Sequence, residues 1–419
     1  MKRIFTFFLL TLSLWLGFSS CSDEAVDVDT VNKQTIFVFY PWSGGYSSTG
    51  LTANLKANVD SICAGIKEKK GLNNTRVMVF FSESKDKSVL YDLQYDEAQK
   101  EVNRVPVKTY DGITYNTAQG LADIINDVKS NAEALNYAMI IGCHGCGWTY
   151  SEDWEDYPNK AKPSFGTSPT SENFSGLQFG DDVNNPLTRF FGSVSLSEGA
   201  LNVNTLADAI QMSGIKMQYI LFDACYMGNV ETAYALKDAT NFLIASSSEI
   251  LAAGIPYKSL WNYLNGPTPN YSNIVSGTVN FYKNTAKAPY CNMAAIDCRQ
   301  LDKLANSMKA INEKYSLAST VPLDSIQPLD GFSPTLFFDI KVYVDSLCPS
   351  GVLKDNFTNQ LKETVKSSET TDTVITSLGL TQSKFIKIKN YSGLSISDPS
   401  KNSVAIKGKQ KTGWWKATH

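Results

Sequence analysis

The 419-residue chain reads as an α/β protein built on a mostly parallel central sheet. Three observations predict this. Apolar runs of strand length alternate with stretches whose apolar residues recur at helical spacing. The runs are apolar without interruption, as strands covered on both faces are. Two of them end in glycine-bearing blocks, one carrying the only histidine before the C-terminal residue and the other one of the eight cysteines.

The elements follow in order. Thr35 to Tyr40 is a buried strand, ended by Pro41-Trp42-Ser43-Gly44-Gly45. From Leu51 to Lys69 a helix is predicted by Leu51, Leu55, Val59, Ile62 and Ile66 with charges between them. Arg76 to Phe81 is the next strand, and the polar alternation from Lys87 to Lys108 reads as a hairpin on a sheet edge. A helix over Leu121 to Val128 precedes the run Tyr137-Ala138-Met139-Ile140-Ile141-Gly142-Cys143-His144-Gly145. A helix near Thr205 to Met212 leads to Met217-Gln218-Tyr219-Ile220-Leu221-Phe222, which runs into Asp223-Ala224-Cys225. A helix from Asn229 to Lys237 and a strand at Phe242 to Ala245 complete the rhythm. Residues 146–203 interrupt it with a Gly-, Pro-, Ser- and Asn-rich stretch far longer than an ordinary connection. Residues 35–298 form the main domain. Beyond Tyr257 follow helices at Tyr271 to Lys283 and Leu301 to Lys314, a short strand at Met293 to Ile296, and β-rich patches near Val374 and Phe385, and residues 299–419 are read as an α+β C-terminal subdomain.

The N-terminus carries a leader: Lys2 and Arg3, then an apolar run from Ile4 to Phe18, too short to span a membrane. Ser19-Ser20-Cys21 resembles a bacterial lipoprotein cleavage site. Residues 1–20 are then a signal peptide, Cys21 the lipidated first residue, and the acidic 21–34 stretch a tether like those of Bacteroides-type surface lipoproteins. Phe18 stands where leucine is usual, so plain secretion is the fallback. No further membrane helix is predicted. A formal net charge of −3 with no basic block gives no support to nucleic-acid binding. If Cys21 is acylated, seven cysteines remain, an odd number that leaves at least one free thiol; Cys225 is the candidate.

The two blocks carry the chemistry. His144 and Cys225 each lie just past a buried strand, at the carboxyl edge where open parallel sheets bind ligands. A thiol attacks a carbonyl as thiolate, which a neighbouring imidazole generates. With a helix following Cys225, its dipole is expected to favour the thiolate, and backbone N–H groups there to face an oxyanion. Gly145 lets the backbone approach a substrate and offers its own N–H.

These stretches resemble the clostripain-like cysteine peptidases, relatives of caspases, gingipains and legumains. Cys143-His144-Gly145-Cys146-Gly147-Trp148 is similar to the family's His-Gly-x-Gly-Trp block, and Asp223-Ala224-Cys225-Tyr226-Met227-Gly228 to its Asp-Ala-Cys-x-Met-Gly block. Echoes occur at Ala245-Ser246-Ser247-Ser248-Glu249, Gly254-Ile255-Pro256-Tyr257 and Tyr391-Ser392-Gly393-Leu394-Ser395-Ile396. The resemblance implies a caspase-like α/β/α sandwich and a peptide-cleaving endopeptidase. Cys225 would be its nucleophile, His144 its acid/base, and the Gly145 and Cys225 amides its oxyanion hole. It implies that Asp223 selects Arg or Lys on the acyl side of the cleaved bond, with Glu249 in a later pocket loop lacking the usual acidic-Pro-Gly pattern. Self-cleavage after Lys160, Lys162 or Arg189 is a family option. No cofactor is required by the sequence; the resemblance admits calcium, for which Glu152, Asp153, Glu155, Asp156, Asp181 and Asp182 are the acids at hand, without a recognisable calcium loop.

Plainer readings stand beside these. A cysteine after a strand is ordinarily core, and a single histidine ordinarily a satisfied structural residue. Asp223 is also a fitting cap for a helix starting near Tyr226 or Gly228. Cys143 and Cys146 fit the C-x-x-C of a thiol oxidoreductase, but no helix is predicted after them. A zinc site there lacks a second half. The remaining class is a surface lipoprotein that holds peptides without cleaving them.

Overall fold

Alternation along the strands decides the layering. In Gln34–Tyr40 (β1) Ile36, Val38 and Tyr40 join one apolar cluster and Phe37 and Phe39 the other, all essentially inaccessible to solvent. The same division separates Ala138 and Ile140 from Met139 and Ile141 in Asn136–Gly142 (β5), and Tyr219 and Leu221 from Ile220 and Phe222 in Met217–Asp223 (β6). Each face therefore needs its own cover of helices. The computed structural model describes residues 32–43, 51–154, 191–192, 199–286, 288–376 and 385–419. The signal peptide, Cys21, most of the tether, and Lys160, Lys162, Arg189, Glu155, Asp156, Asp181 and Asp182 lie outside the described residues.

Among the described residues nine strands form one sheet. The others are Thr75–Ser84 (β2), Lys87–Asp96 (β3), Glu101–Asp111 (β4), Thr240–Ala245 (β7), Asn292–Asp297 (β8) and Val365–Thr370 (β9). The order is β9-β8-β7-β6-β5-β1-β2-β3-β4. Pairing is parallel from β2 through β1, β5 and β6 to β7, and antiparallel at both flanks. This is the expected caspase-like α/β/α architecture with a mostly parallel centre. The hairpin falls on an edge as its polarity predicted, since β4 is largely exposed and carries Arg104, Pro106 and Lys108.

Helices Leu51–Glu68 (α1), Tyr257–Leu264 (α5) and Tyr271–Asn284 (α6) cover one face. Ala118–Asn131 (α2), Val203–Met212 (α3), Val230–Leu236 (α4) and Leu301–Asn312 (α7) cover the other. Thr117 caps α2 through the Gly120 amide at 3.1 Å. Residues beyond 298 add β9 to the sheet and further helices at Ile340–Leu347 (α8), Val352–Thr364 (α9), Ser403–Gly408 (α10) and Gly413–Thr418 (α11). Residues 32–419 make one compact unit. Among the described residues no helix is long and apolar enough to cross a membrane.

Because β1 leads outward to β2 on one side while β5 and β6 lie on the other, the order in which strands are added reverses between β1 and β5, and crevices of such sheets form there. A third apolar cluster of Cys146, Trp148, Trp154, Tyr226, Phe332, Leu336, Phe337, Val404 and Ala405 supports the loops beyond β5 and β6. The α1–α5 contact is set by Gly65, where an added Cβ would lie 2.7 Å from that of Trp261. Gly65→Val is expected to lower stability by about 1–3 kcal/mol in denaturant unfolding, because neither fully buried Trp261 nor the helix backbone has room to yield.

Candidate active site

Register brings the two sequence blocks together. Gly142 pairs with Asp223 across β5 and β6, and the Cys143 amide donates to the Asp223 carbonyl at 3.4 Å. Beyond that pair His144 bridges to Gly192, whose amide donates to the His144 carbonyl at 3.0 Å, while Cys225 lies two residues past Asp223 at the same sheet edge. Contact is tight: a Cβ on Gly145 would lie 2.6 Å from the Cys225 carbonyl oxygen and 3.1 Å from both the Ala224 Cβ and the Met227 sulfur. Only glycine allows this approach. His144 and Cys225 are both half-buried, so neither is a sealed core residue.

The predicted Asn229–Lys237 helix is found as α4, which begins at Val230, is capped by Asn229 through the Thr232 amide at 2.7 Å, and has only seven residues, so Cys225 lies on the turn before it. Tyr226 takes the left-handed region at φ 61°. Its amide donates to Ser248 at 3.0 Å and that of Gly228 to Ser246 at 2.7 Å, strapping the turn to the loop after β7. The helix dipole therefore does not act on the thiol. Burial, with the nearby Glu249 charge second, pushes the Cys225 thiol well above its ordinary value. Its sulfur accepts from the Ile250 amide at 3.4 Å and faces the Ile250 carbonyl at 3.6 Å. Burial likewise pushes the His144 imidazole down to about 4. Both shifts favour the neutral forms, thiol for Cys225 and imidazole for His144.

Asp223 caps no helix. It ends β6, and its Oδ2 accepts from Tyr257 Oη at 2.9 Å, Asn58 Nδ2 at 3.1 Å and the Ile255 amide at 3.3 Å. Oδ1 accepts from none of the described residues. Burial raises the carboxyl to about 6 against these hydrogen bonds, and no cation contributes. Glu249 is buried in the strapping loop, with Oε1 accepting from Tyr226 Oη at 2.7 Å.

The remaining candidates are not brought into a site. Cys143 and Cys146 are buried in different apolar clusters with no helix after them, unlike a redox C-x-x-C. The seven described cysteines are all free. Among the described residues no three acidic, cysteine or histidine side chains gather to hold a metal ion. Of the acids considered for calcium, Asp153 is engaged by Lys411 at 2.6 Å and Glu152 faces it at 3.7 Å, so these two do not fit a calcium shell. Asn58 and Ile250 were not anticipated, and of Tyr257 the Gly254-Ile255-Pro256-Tyr257 echo was the one signal.

The family model described as "Clostripain family" (peptidase C11) matches residues 179–402, more than half of the chain, including Asp223, Cys225 and Glu249 and starting after His144. Among solved structures, a secreted C11 cysteine protease from Bacteroides thetaiotaomicron, "iotapain", is 34% identical, covers 93% of this chain and 99% of its own, and superposes with a TM-score of 0.79. A clostripain from the same species in complex with the peptide inhibitor BTN-VLTK-AOMK is 41% identical over 55% of this chain and 99% of its own, with a TM-score of 0.52. An inactive zymogen C11 protease from Parabacteroides distasonis, 21% identical over 93% of this chain and 99% of its own at a TM-score of 0.73, shares the fold. No curated protein matches. Fold and site together define a cysteine peptidase, a hydrolase. The chain belongs to the clostripain family.

Gly145→Ala is expected to lower kcat/KM by about tenfold or more, since its methyl group must part the two loops. The far-UV circular dichroism should keep the wild-type shape. Wild-type turnover by a folded variant would contradict the close approach.

Proposed function

We propose that the protein is an exported cysteine endopeptidase that cleaves after Lys or Arg through Cys225 and His144. The observation carrying this reading is the parallel register of β5 and β6, with Gly145 packed on the Cys225 carbonyl. From the neutral resting pair, the Cys225 sulfur attacks the scissile carbonyl carbon while His144 takes the thiol proton. The oxyanion of the tetrahedral intermediate faces the Gly145 and Cys225 amides. As the C–N bond breaks, His144 returns the proton to the leaving amine; it then deprotonates the water that hydrolyses the thioester.

Asp223 is the proposed selector. It is a buried carboxylate with one oxygen unclaimed by the described residues and no cation among the influences on its charge. A substrate ammonium or guanidinium supplies that missing cation. Support comes from the related clostripain, whose inhibitor carries the peptide VLTK. Glu249 adds negative charge near the thiol and is proposed to act in the pocket loop beside it. The secreted description of the Bacteroides relative supports export, with Cys21 proposed as lipid anchor and secretion without an anchor the alternative. The binding-only reading is weakened by the partial exposure of both His144 and Cys225.

The test uses residues 22–419 with fluorogenic peptides ending in Lys, Arg, Asp or Leu. Turnover of the Lys and Arg peptides is expected to fall by about 10³-fold or more in Cys225→Ala. Unchanged turnover in that variant would overturn the proposal. The pH dependence is a second check. The Asp223 carboxyl titrates at about 6, above its ordinary value, so the carboxylate is present above that pH and lost as pH falls through it. The kcat/KM for Lys and Arg peptides is therefore expected to drop on acidification with a midpoint near 6, before His144, at about 4, becomes charged. A single acid limb near 4 would remove Asp223 from the pocket.

A further inference from the structure

The surroundings of Asp223 carry more than a negative charge. All three of its hydrogen-bond donors converge on Oδ2: Tyr257 Oη at 2.9 Å, Asn58 Nδ2 at 3.1 Å and the Ile255 amide at 3.3 Å. Oδ1 accepts from none of the described residues. The donors sit on three separate pieces of structure. Asn58 lies on the inner face of α1, Tyr257 is the first residue of α5, and Ile255 belongs to the turn between β7 and α5.

None of them is free to turn away. Tyr257 is fully buried and Asn58 nearly so. The intervening turn is fixed by Gly254, at φ 66°, where a Cβ would come within 2.6 Å of Asp223 Oδ2 and 2.7 Å of Asn58 Nδ2. Tyr282 Oη holds the Gly254 carbonyl at 2.7 Å.

We propose that Tyr257 and Asn58 are specificity-determining positioning residues, which saturate Oδ2 so that Asp223 presents one oxygen to the substrate and the pocket favours lysine over arginine. The inference rests on Asp223 being the selector, as proposed above. An arginine guanidinium is strongest against a carboxylate when its planar fork meets both oxygens at once. A lysine ammonium is a compact point charge that needs only one acceptor and directs its remaining protons to other groups or water. With Oδ2 occupied three times over, the fork is denied and the point charge is not.

The experiment measures kcat/KM for matched peptides differing only in Lys or Arg at the cleaved position, with Leu and Asp peptides alongside. It compares the wild-type enzyme with Tyr257→Phe and Asn58→Leu. The wild type is expected to cleave the Lys peptide at least as efficiently as the Arg peptide. Each variant removes a donor from Oδ2 and is expected to move the Lys:Arg ratio toward Arg by about threefold or more, mainly through KM. A general loss of stability lowers both rates together and leaves the ratio alone. Should one variant fail to fold, the other and the wild-type ratio still decide. A wild-type preference for Arg of about tenfold or more, or a ratio unmoved in the folded variants, would overturn the inference while leaving Asp223 as selector. Cleavage of the Leu or Asp peptide in preference to both basic ones would overturn the selector reading itself, and this inference with it.

Discussion

The structure depends on one pairing, the parallel alignment of β5 with β6 that sets Gly142 against Asp223. Parallel neighbours deliver their following loops to the same edge, so the histidine and cysteine blocks share one edge although they are far apart in sequence. The alignment leaves little tolerance. Gly142 could not carry a Cβ without meeting the Tyr40 ring at 2.5 Å, and Gly145 could not without meeting the Cys225 carbonyl at 2.6 Å. The apolar sides of both strands, divided between two helix-covered cores, fix the register; a slip by one residue would turn every side chain to the wrong core.

Loops at a strand edge need support that strands do not give, and here it comes from late in the chain. Trp148, four residues beyond the histidine, donates from Nε1 to Ser397 Oγ at 2.9 Å. The Ser397 amide donates to Glu231 Oε1 at 2.7 Å on the helix that follows the cysteine turn, and the Ser395 amide to the Gly228 carbonyl at 3.0 Å. Lys411 closes on Asp153. One C-terminal stretch thus ties both blocks, which gives the residues beyond 298 a role in the site as well as in the sheet. The tie includes a costly group: burial, with Asp398 second, pushes the Glu231 carboxyl up to about 8. Such a carboxyl persists because its neighbours hold it in place.

Much of this was legible in the sequence. The buried strands, the edge hairpin and most helices follow from period and breakers, and the histidine and cysteine blocks announced themselves by ending such runs. What was missed has physical causes. The helix from Asn229 to Lys237 was foreseen, but the turn before it was not, since Tyr226 at positive φ and the strap to Ser246 and Ser248 depend on long-range hydrogen bonds that leave no local periodicity. That turn separates the thiol from the helix dipole. Tyr257–Leu264 is a short helix entered from Pro256 without a side-chain cap, and Val365–Thr370 is a polar edge strand, so neither has a strong pattern. Asn58 reads as one more polar residue of an amphipathic helix; only the fold turns it toward Asp223.

Of the seven described thiols, all half-buried or buried, Cys225 is the one proposed to meet a bound peptide's reactive carbon. The most direct measurement is the reaction of the protein with an acyloxymethyl ketone peptide ending in lysine, followed by intact mass and peptide mapping. One adduct per chain is expected, on Cys225. Labelling at Cys63, Cys143 or Cys146 with Cys225 unmodified would contradict it.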